Sequence, residues 1–137
     1  MNILIFLKNK IPSLLYGGTE RVIWYLGKEL DKMGHSVTFL VNEGSSCDFA
    51  KVIFYNPNTS LNDQIPDDID IVHINDDYFN EEISKPLVVT IHGNPDNKSL
   101  HPNSIFVSKN HANRYNSESF VYNGLDWDMY NKPNLNS

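Results

Sequence analysis

The residues best suited to chemistry in this chain are a histidine and a pair of glycines, each placed after an apolar run. His92 is followed by Gly93 and Asn94 and comes directly after the run at 87–91. A Tyr-Gly-Gly-Thr-Glu-Arg stretch occupies 16–21, between the apolar opening of the chain and an amphipathic stretch. Glycines at a strand-to-helix turn let the backbone approach a ligand, and the helix start offers unpaired N–H groups. The pattern predicts a seat for a phosphate or a polar sugar, although such glycines also serve simply as steric relief.

These groups need a framework, and the apolar runs predict an α/β domain. Short apolar runs without clean alternation are typical of a parallel sheet that is covered on both faces. We therefore predict a Rossmann-like, open and mostly parallel sheet with helices on both faces. The predicted strands are 3–7, 36–41, 52–55, 70–75, 87–91, 104–107 and 119–122, and the predicted helices are 19–33, 78–84 and 109–115.

The first helix carries the clearest signals. Val22, Leu26, Leu30 and Met33, with Ile23 beside them, fall on one face at helical spacing, which predicts that this face is buried. Thr19 is the predicted N-cap, and Gly34 is the predicted residue just after the last turn.

In an open parallel sheet, ligands bind beyond the carboxyl ends of the strands. Polar residues follow several of the predicted strands, and we expect them to meet at one rim, although loop ends are polar in any protein. His92 is the candidate for chemistry, because a histidine at a strand end can donate to a sugar hydroxyl or to developing charge; the alternative is a bond within its own turn. The candidate binding residues are Gly17, Gly18, Thr19, Glu20, Asn75, Asp76, Gly93, Asn94, Ser108 and Asn123.

Two of the polar residues have competing interpretations. Glu20 stands in the first helical turn, where a carboxylate either favours the helix dipole or accepts from an acceptor hydroxyl. His73 lies inside an apolar strand and is interpreted as a core histidine with a satisfied hydrogen bond rather than a ligand group.

Six ordered pieces make the chain recognisable. It resembles the N-terminal half of family-4 glycosyltransferases, which are retaining, sugar-nucleotide-dependent enzymes of the GT-B fold. Any one piece is weak, but six in order make a strong signal for the family and a poor one for the particular sugar. The pieces are YGGTERV at 16–22, GHSVT at 34–38, DIVHIN at 70–75, PLVVTIHG at 86–93, FVS at 106–108 and VYNGLD at 121–126.

The resemblance implies roles for some of these residues. The double-glycine loop would lie under the phosphate of the donor and near the acceptor, and His92 would reach the transferred sugar. Residues 1–125 would form the acceptor-side domain, and 126–137 a linker stub towards a nucleotide-sugar-binding domain that is absent here. The Glu-x7-Glu pair of that second domain is also missing, because no two glutamates stand eight apart. We expect the 137-residue half to be inactive on its own.

The expected activity is transfer of a sugar from a nucleotide diphosphate sugar to a glycan, lipid-linked or small acceptor. We expect no cofactor and no metal, and we interpret the Asp-x-Asp patterns at 68–70 and 126–128 as chance. Two alternatives remain open. One is a non-catalytic sugar- or partner-binding module that uses the same rim, and the other is a flavodoxin-like nucleotide binder.

Composition and charge restrict the partners and the compartment that we expect for this chain. A net charge of −6 over 137 residues argues against nucleic acid or an anionic membrane as the main partner. No apolar run approaches the roughly 20 residues that span a bilayer, so we expect at most peripheral membrane contact in the intact enzyme. The single cysteine, Cys47, has no partner for an internal disulfide, which favours the reducing cytoplasm.

Overall fold

The computed structural model describes residues 1–12, 18–93, 103–107, 109, 112, 115 and 119–121. Within them the chain forms six strands and one α-helix. In chain order these are β1 (Asn2–Leu7), α1 (Gly18–Lys32), β2 (Ser36–Val41), β3 (Lys51–Phe54), β4 (Ile71–Asn75), β5 (Leu87–Ile91) and β6 (Ser104–Phe106), with a short 3₁₀ helix at Asn62–Gln64 between β3 and β4.

The six strands make one sheet in the order β3-β2-β1-β4-β5-β6, and every pair is parallel. This is the strand order of a Rossmann fold, in which the chain reverses direction across the sheet between β1 and β4. The predicted α/β class and parallel sheet are confirmed, and each of the six strands agrees with its prediction to within one residue. Of the three predicted helices, α1 is the one that the structure describes as a helix along its whole length.

Helix α1 ends as its sequence predicts but begins one residue earlier. Gly34 has a φ of 95°, and its N–H donates to the carbonyl of Asp31, while His35 N–H donates to that of Leu30. These two bonds make a Schellman motif, which satisfies the last carbonyls of the helix. At the other end Gly18 is already helical, so Thr19 lies inside the first turn and is not the N-cap.

The buried face of α1 is rotated from the predicted one. Ile23 and Gly27 are its buried centre, and a Cβ on Gly27 would lie 2.5 Å from Cζ of Phe39 in β2. At Gly27 the backbone of the helix therefore packs directly against the ring of Phe39. Of the predicted stripe, Leu26 and Leu30 are half-buried and pack against the core of this face, Val22 is half-buried and Met33 is exposed, so the fully buried centre lies on the Ile23 side of the stripe. Because Gly27 has no side chain, the helix comes closest to the sheet on the side where this glycine lies.

We call the sheet surface under this helix the α1 face. Side chains alternate along each strand, so Ile5, Phe39 and His73 belong to the α1 face, while Phe6 and Ile74 belong to the opposite face. The opposite face is covered by connecting segments, whose buried side chains are Leu61, Ile65, Ile69, Phe79 and Ala112.

The predicted helix at 78–84 is wrong, since this segment contains a turn and then irregular chain. Its polar groups bond outside the segment: the Glu81 carboxylate accepts from the N–H of Leu61, and Ser84 N–H donates to Asn62 Oδ1. A helix of seven residues is marginal without tertiary contacts that favour it, and here the bonds to the neighbouring loop prevail.

The remaining predicted elements are described only in part. Lys109 and Ala112 are helical, and Phe120 forms a single parallel bridge with Phe106. The rest of the 109–115 helix, Tyr122 and the predicted boundary at 125 lie outside the described residues. Among the residues that are described, no helix has the length and apolar character needed to cross a membrane.

Candidate functional site

The carboxyl ends of β1, β4 and β5 meet the start of α1 at a cleft of about 480 Å³, which we call the rim cleft. Because the strands are parallel, their ends lie at one edge, and Leu7 pairs directly with Asn75 there. The lining residues are Leu7, Lys8, Asn9, Gly18, Thr19, Glu20, Asn75, Asp76, Asp77, Tyr78 and His92.

Six of the predicted site residues are brought together in this cleft: Gly18, Thr19, Glu20, Asn75, Asp76 and His92. Gly93 stands beside it, joined to Asp77 by a hydrogen bond. The other four predicted residues, Gly17, Asn94, Ser108 and Asn123, lie outside the described residues. The expectation that separate strand ends supply one rim thus holds for β1, β4 and β5.

His92 is held from two sides. Its ring Nε2 lies 2.9 Å from Oδ1 of Asn75, and its backbone N–H donates to Oδ1 of Asp77 at 2.9 Å. Asn75 is buried, and its Nδ2 donates to the carbonyl of Phe6 at 3.2 Å. That bond fixes the orientation of the amide, so Oδ1 must accept and Nε2 of His92 must carry the hydrogen. In the neutral ring Nδ1 is therefore the acceptor nitrogen.

Asp77 holds the turn after β5 through both oxygens. Oδ1 accepts from the N–H of His92, and Oδ2 accepts from the N–H of Gly93 at 2.9 Å. A Cβ on Gly93 would lie 2.6 Å from that Oδ2. Gly93 is thus required by the close approach of a carboxylate, an explanation internal to the protein.

Gly18 is different. Among the described residues, a Cβ there would meet nothing within 4 Å, and its φ is not in the positive range that favours glycine. Within that part of the chain, neither the backbone conformation nor a neighbouring atom requires glycine at this position. The open space above it belongs to the rim cleft.

The charges of the rim cleft are mostly negative. Glu20, Asp76 and Asp77 line it together with a single described cation, Lys8. The amine of Lys8 lies 3.3 Å from Asp76 Oδ2, and Glu20 Oε1 accepts from Asn9 Nδ2 at 2.8 Å. Carboxylates and amides suit the hydroxyls of a sugar better than they suit a free phosphate.

His73 lies behind the rim, on the α1 face, and its Nε2 is 2.6 Å from Oγ1 of Thr90. Burial, with a smaller contribution from the nearby His92, lowers the pKa of His73 to about 4. It is a neutral histidine with a satisfied hydrogen bond, as the sequence analysis interpreted it.

Sequence reasoning missed Lys8, Asn9 and Asp77. All three follow strand ends directly, which is the signal that selected the other candidates. After β1, the glycine pair at 17–18 is the stronger sequence signal, although Lys8 and Asn9 stand nearer to the strand. No three His, Cys, Asp or Glu side chains converge to hold a metal ion within the described residues, and the absence of a metal from the reaction stays a prediction.

Comparisons of the chain with protein-family models, with curated proteins and with solved structures found no match.

Proposed function

We propose that this chain is the N-terminal, acceptor-side half of a retaining glycosyltransferase that uses a nucleotide diphosphate sugar. The observation that supports the proposal best is the setting of His92. An imidazole at a strand end, oriented by a buried amide, lies in the same cleft as Gly18 and Glu20 at the start of α1. The resemblance to family-4 glycosyltransferases implies that His92 reaches the transferred sugar and that the glycine loop lies under the donor phosphate and near the acceptor.

The charges of the rim cleft suggest that two domains bind different parts of the substrates. A diphosphate needs cations or helix amides, whereas Asp76 and Asp77 are already engaged by Lys8 and by backbone N–H groups. Glu20 is suited to accept a hydrogen bond from an acceptor hydroxyl. We therefore assign the described residues to the sugar hydroxyls and the acceptor, and we expect the cations for the leaving diphosphate to come from a second domain.

The role of His92 follows from its tautomer. Since the Nε2 hydrogen is committed to Asn75, a neutral His92 would accept a hydrogen bond at Nδ1 rather than donate one. Only the protonated ring would donate to developing negative charge. This narrows the expected role of His92 to positioning a hydroxyl of the transferred sugar, unless the ring carries a proton during the reaction.

The test is a pair of substitutions in the full-length protein. His92→Ala leaves the buried oxygen of Asn75 without its donor, so it costs about 1–3 kcal/mol of stability whatever else His92 does. His92→Gln supplies an amide donor to the same oxygen while removing the imidazole. We expect both variants to lose about 10²-fold in kcat, the scale of a misplaced reactant, with normal stability only for His92→Gln.

The readouts are melting temperature and single-substrate kinetics on the same preparation. His35→Gln, a histidine at the opposite edge of the sheet beside the amino terminus, is the matched control. A folded His92→Gln variant with wild-type kcat would remove His92 from the reaction.

A second candidate function is a non-catalytic sugar-binding module, which the acidic and amide-rich lining also favours. Such a module would bind mono- or oligosaccharides at the rim cleft and would be indifferent to the nucleotide. Titration with a free sugar, a sugar nucleotide and the nucleotide alone separates the two. Glu20→Gln should weaken sugar binding in both cases, whereas turnover in the full-length protein is expected only for the enzyme.

We expect the protein to work in the cytoplasm, since its single cysteine suits a reducing compartment.

A further inference from the structure

Three consecutive residues at the end of β4 each bond to a neighbouring strand end. Asn75 Nδ2 donates to the carbonyl of Phe6 in β1, and Asp76 Oδ2 lies 3.3 Å from the amine of Lys8, just after β1. Asp77 binds on the other side, where both of its oxygens accept from backbone N–H groups at the end of β5. Since β4 lies between β1 and β5 in the sheet, its end holds the ends of both neighbours.

The contact made by Asp77 fixes the backbone on both sides of His92. The N–H of His92 belongs to the peptide unit before its Cα, and the N–H of Gly93 belongs to the peptide unit after it. Each donates to a different oxygen of the same carboxylate, at 2.9 Å. Hydrogen bonds to a charged acceptor are roughly twice as strong as neutral ones. Because peptide units are planar, holding both of them sets φ and ψ of His92 and the direction in which its side chain leaves the backbone.

The far end of the same side chain is also held by β4. Nε2 of His92 lies 2.9 Å from Oδ1 of Asn75, whose amide is buried and bonded to β1. A histidine side chain turns only about χ1 and χ2, so a fixed backbone and a fixed ring atom leave the imidazole little freedom. Asn75 orients the ring, but only where the backbone of His92 brings Nε2 within reach, and that backbone is held by Asp77.

Gly93 is adapted to the same contact. A Cβ at this position would lie 2.6 Å from Oδ2 of Asp77, closer than side-chain carbons come to such an atom in proteins. A larger residue would therefore displace the carboxylate from the backbone that it binds. Asp77 and Gly93 thus act as one unit, and a substitution on either side breaks the contact.

We propose that Asp77 is a positioning residue, which places the imidazole of His92 in the rim cleft by binding the two peptide units that flank it. Asp77 acts through His92 and not on the substrate. The effect on turnover rests on the proposed function, whereas the effect on the imidazole does not. The two effects are therefore measured separately.

The position of the ring is measured by nuclear magnetic resonance of the protein with isotopically labelled histidine. His92→Gln identifies the His92 signals among those of the five histidines. At alkaline pH, where a histidine ring is neutral, we expect the wild type to show a single tautomer with its hydrogen on Nε2, bonded to Asn75. In Asp77→Ala and Gly93→Ala the shifts of the two ring nitrogens should move towards each other, because a released ring exchanges between tautomers.

Asn62→Ala is the matched control. Asn62 also accepts from a distant backbone N–H, that of Ser84, but it does not line the rim cleft. Its loss should leave the His92 signals unchanged. Asp77→Asn keeps the shape and one acceptor oxygen but places an amide donor against a backbone N–H, so it should release the ring in part. Far-ultraviolet circular dichroism shows which variants are folded, and the smaller changes Asp77→Asn and Gly93→Ala decide the question if Asp77→Ala is not.

Turnover is measured in the full-length protein as release of nucleoside diphosphate from uridine diphosphate glucose, uridine diphosphate N-acetylglucosamine or guanosine diphosphate mannose. We expect Asp77→Ala to lower kcat between about tenfold and about 10²-fold, the scale of a misplaced group. In the His92→Gln background the same substitution should lower kcat by less than about twofold, because the residue through which it acts is already gone.

Unchanged ring-nitrogen shifts in a folded Asp77→Ala variant would overturn the proposal. So would losses of kcat that simply multiply in the double variant, since Asp77 would then act on the substrate itself. A released ring together with a normal kcat in His92→Gln supports the positioning of the imidazole and removes only its proposed part in the reaction. Absence of turnover with all three sugar nucleotides counts against the proposed function alone, and the ring signals then decide.

Discussion

The half-buried histidine behind the rim, His73, should make the stability of this domain depend on pH in a defined window. His73 has a pKa of about 4 in the folded protein, against an ordinary value of 6.5. The unfolded chain therefore binds a proton between these values that the folded chain does not. The contribution of His73 to stability is complete above about pH 6.5 and is lost progressively as the pH falls towards 4.

The magnitude follows from the two pKa values. One pKa unit corresponds to about 1.4 kcal/mol, so the loss relative to neutral pH is about 2 kcal/mol at about pH 5 and about 3 kcal/mol at about pH 4. That is a large part of the 5–15 kcal/mol typical of a domain. The physical cause is removal of the imidazole from water on the α1 face, with a smaller contribution from His92.

His73→Gln tests this value, because glutamine stays neutral and retains a polar group near the hydroxyl of Thr90. Urea unfolding of both proteins at several pH values gives the difference in unfolding free energy, and carboxylate titrations common to both cancel. On going from neutral pH to about pH 5, we expect the free energy of unfolding of the wild type to fall by about 2 kcal/mol more than that of the variant. His35→Gln is the control for loss of a histidine elsewhere.

A difference between wild type and His73→Gln that is flat across this window would refute the reasoning. It would mean that His73 accepts a proton in the folded state, and the burial argument for the α1 face would then fail at this point.

Three further predictions follow from close contacts and burial. Gly27→Ala should destabilise the fold by about 1–3 kcal/mol despite better helix propensity, because the new methyl group would meet the fully buried ring of Phe39; Gly18→Ala, in open space, is the control in thermal unfolding. Asp77→Ala should cost about 1–3 kcal/mol and raise hydrogen exchange at the two backbone amides that the carboxylate binds. Burial raises the pKa of the Cys47 thiol, so alkylation by iodoacetamide at neutral pH should be slower than that of a free thiol and should accelerate on unfolding.

Most of this fold can be predicted from the sequence, because the residues that begin and end its helix and strands act over short distances along the chain. Gly34 ends α1 by adopting a φ that other residues avoid, and β2 starts two residues later, as predicted. The run at 87–91 becomes β5 with the predicted bounds. In such cases a side chain or a dihedral preference decides the structure within a few residues.

The failures arise where distant contacts decide. Phe79 and Ile83 stand four apart, as on a helical face, yet Ser84 is held by Asn62, from a loop 22 residues away. Likewise, the rotation of α1 depends on the ring of Phe39 fitting against Gly27, and no helical periodicity encodes that fit.

For the candidate site, the sequence could predict which strand ends form the rim cleft but not the hydrogen bonds that fix its side chains. That polar residues follow β4 and β5 is visible in the letters alone. That Asp77 binds the amides of His92 and Gly93, 15 and 16 residues further on, is not visible. The tautomer of His92 depends on Asn75 and on the carbonyl of Phe6, which come together only in the folded sheet.

The central place of β1 has a consequence for synthesis on the ribosome. β1 is the first strand to be made, yet its two neighbours are β2 and β4, and Ile3–Leu7 are all buried in the finished sheet. After β3 emerges, about 20 more residues must be translated before β4 is complete, which takes roughly 1–4 s at ordinary elongation rates. During that interval the nascent chain exposes an apolar edge strand, the kind of surface that pairs with other chains. Slow codons between β3 and β4, or the lack of a chaperone that binds nascent chains, should therefore lower the yield of folded protein.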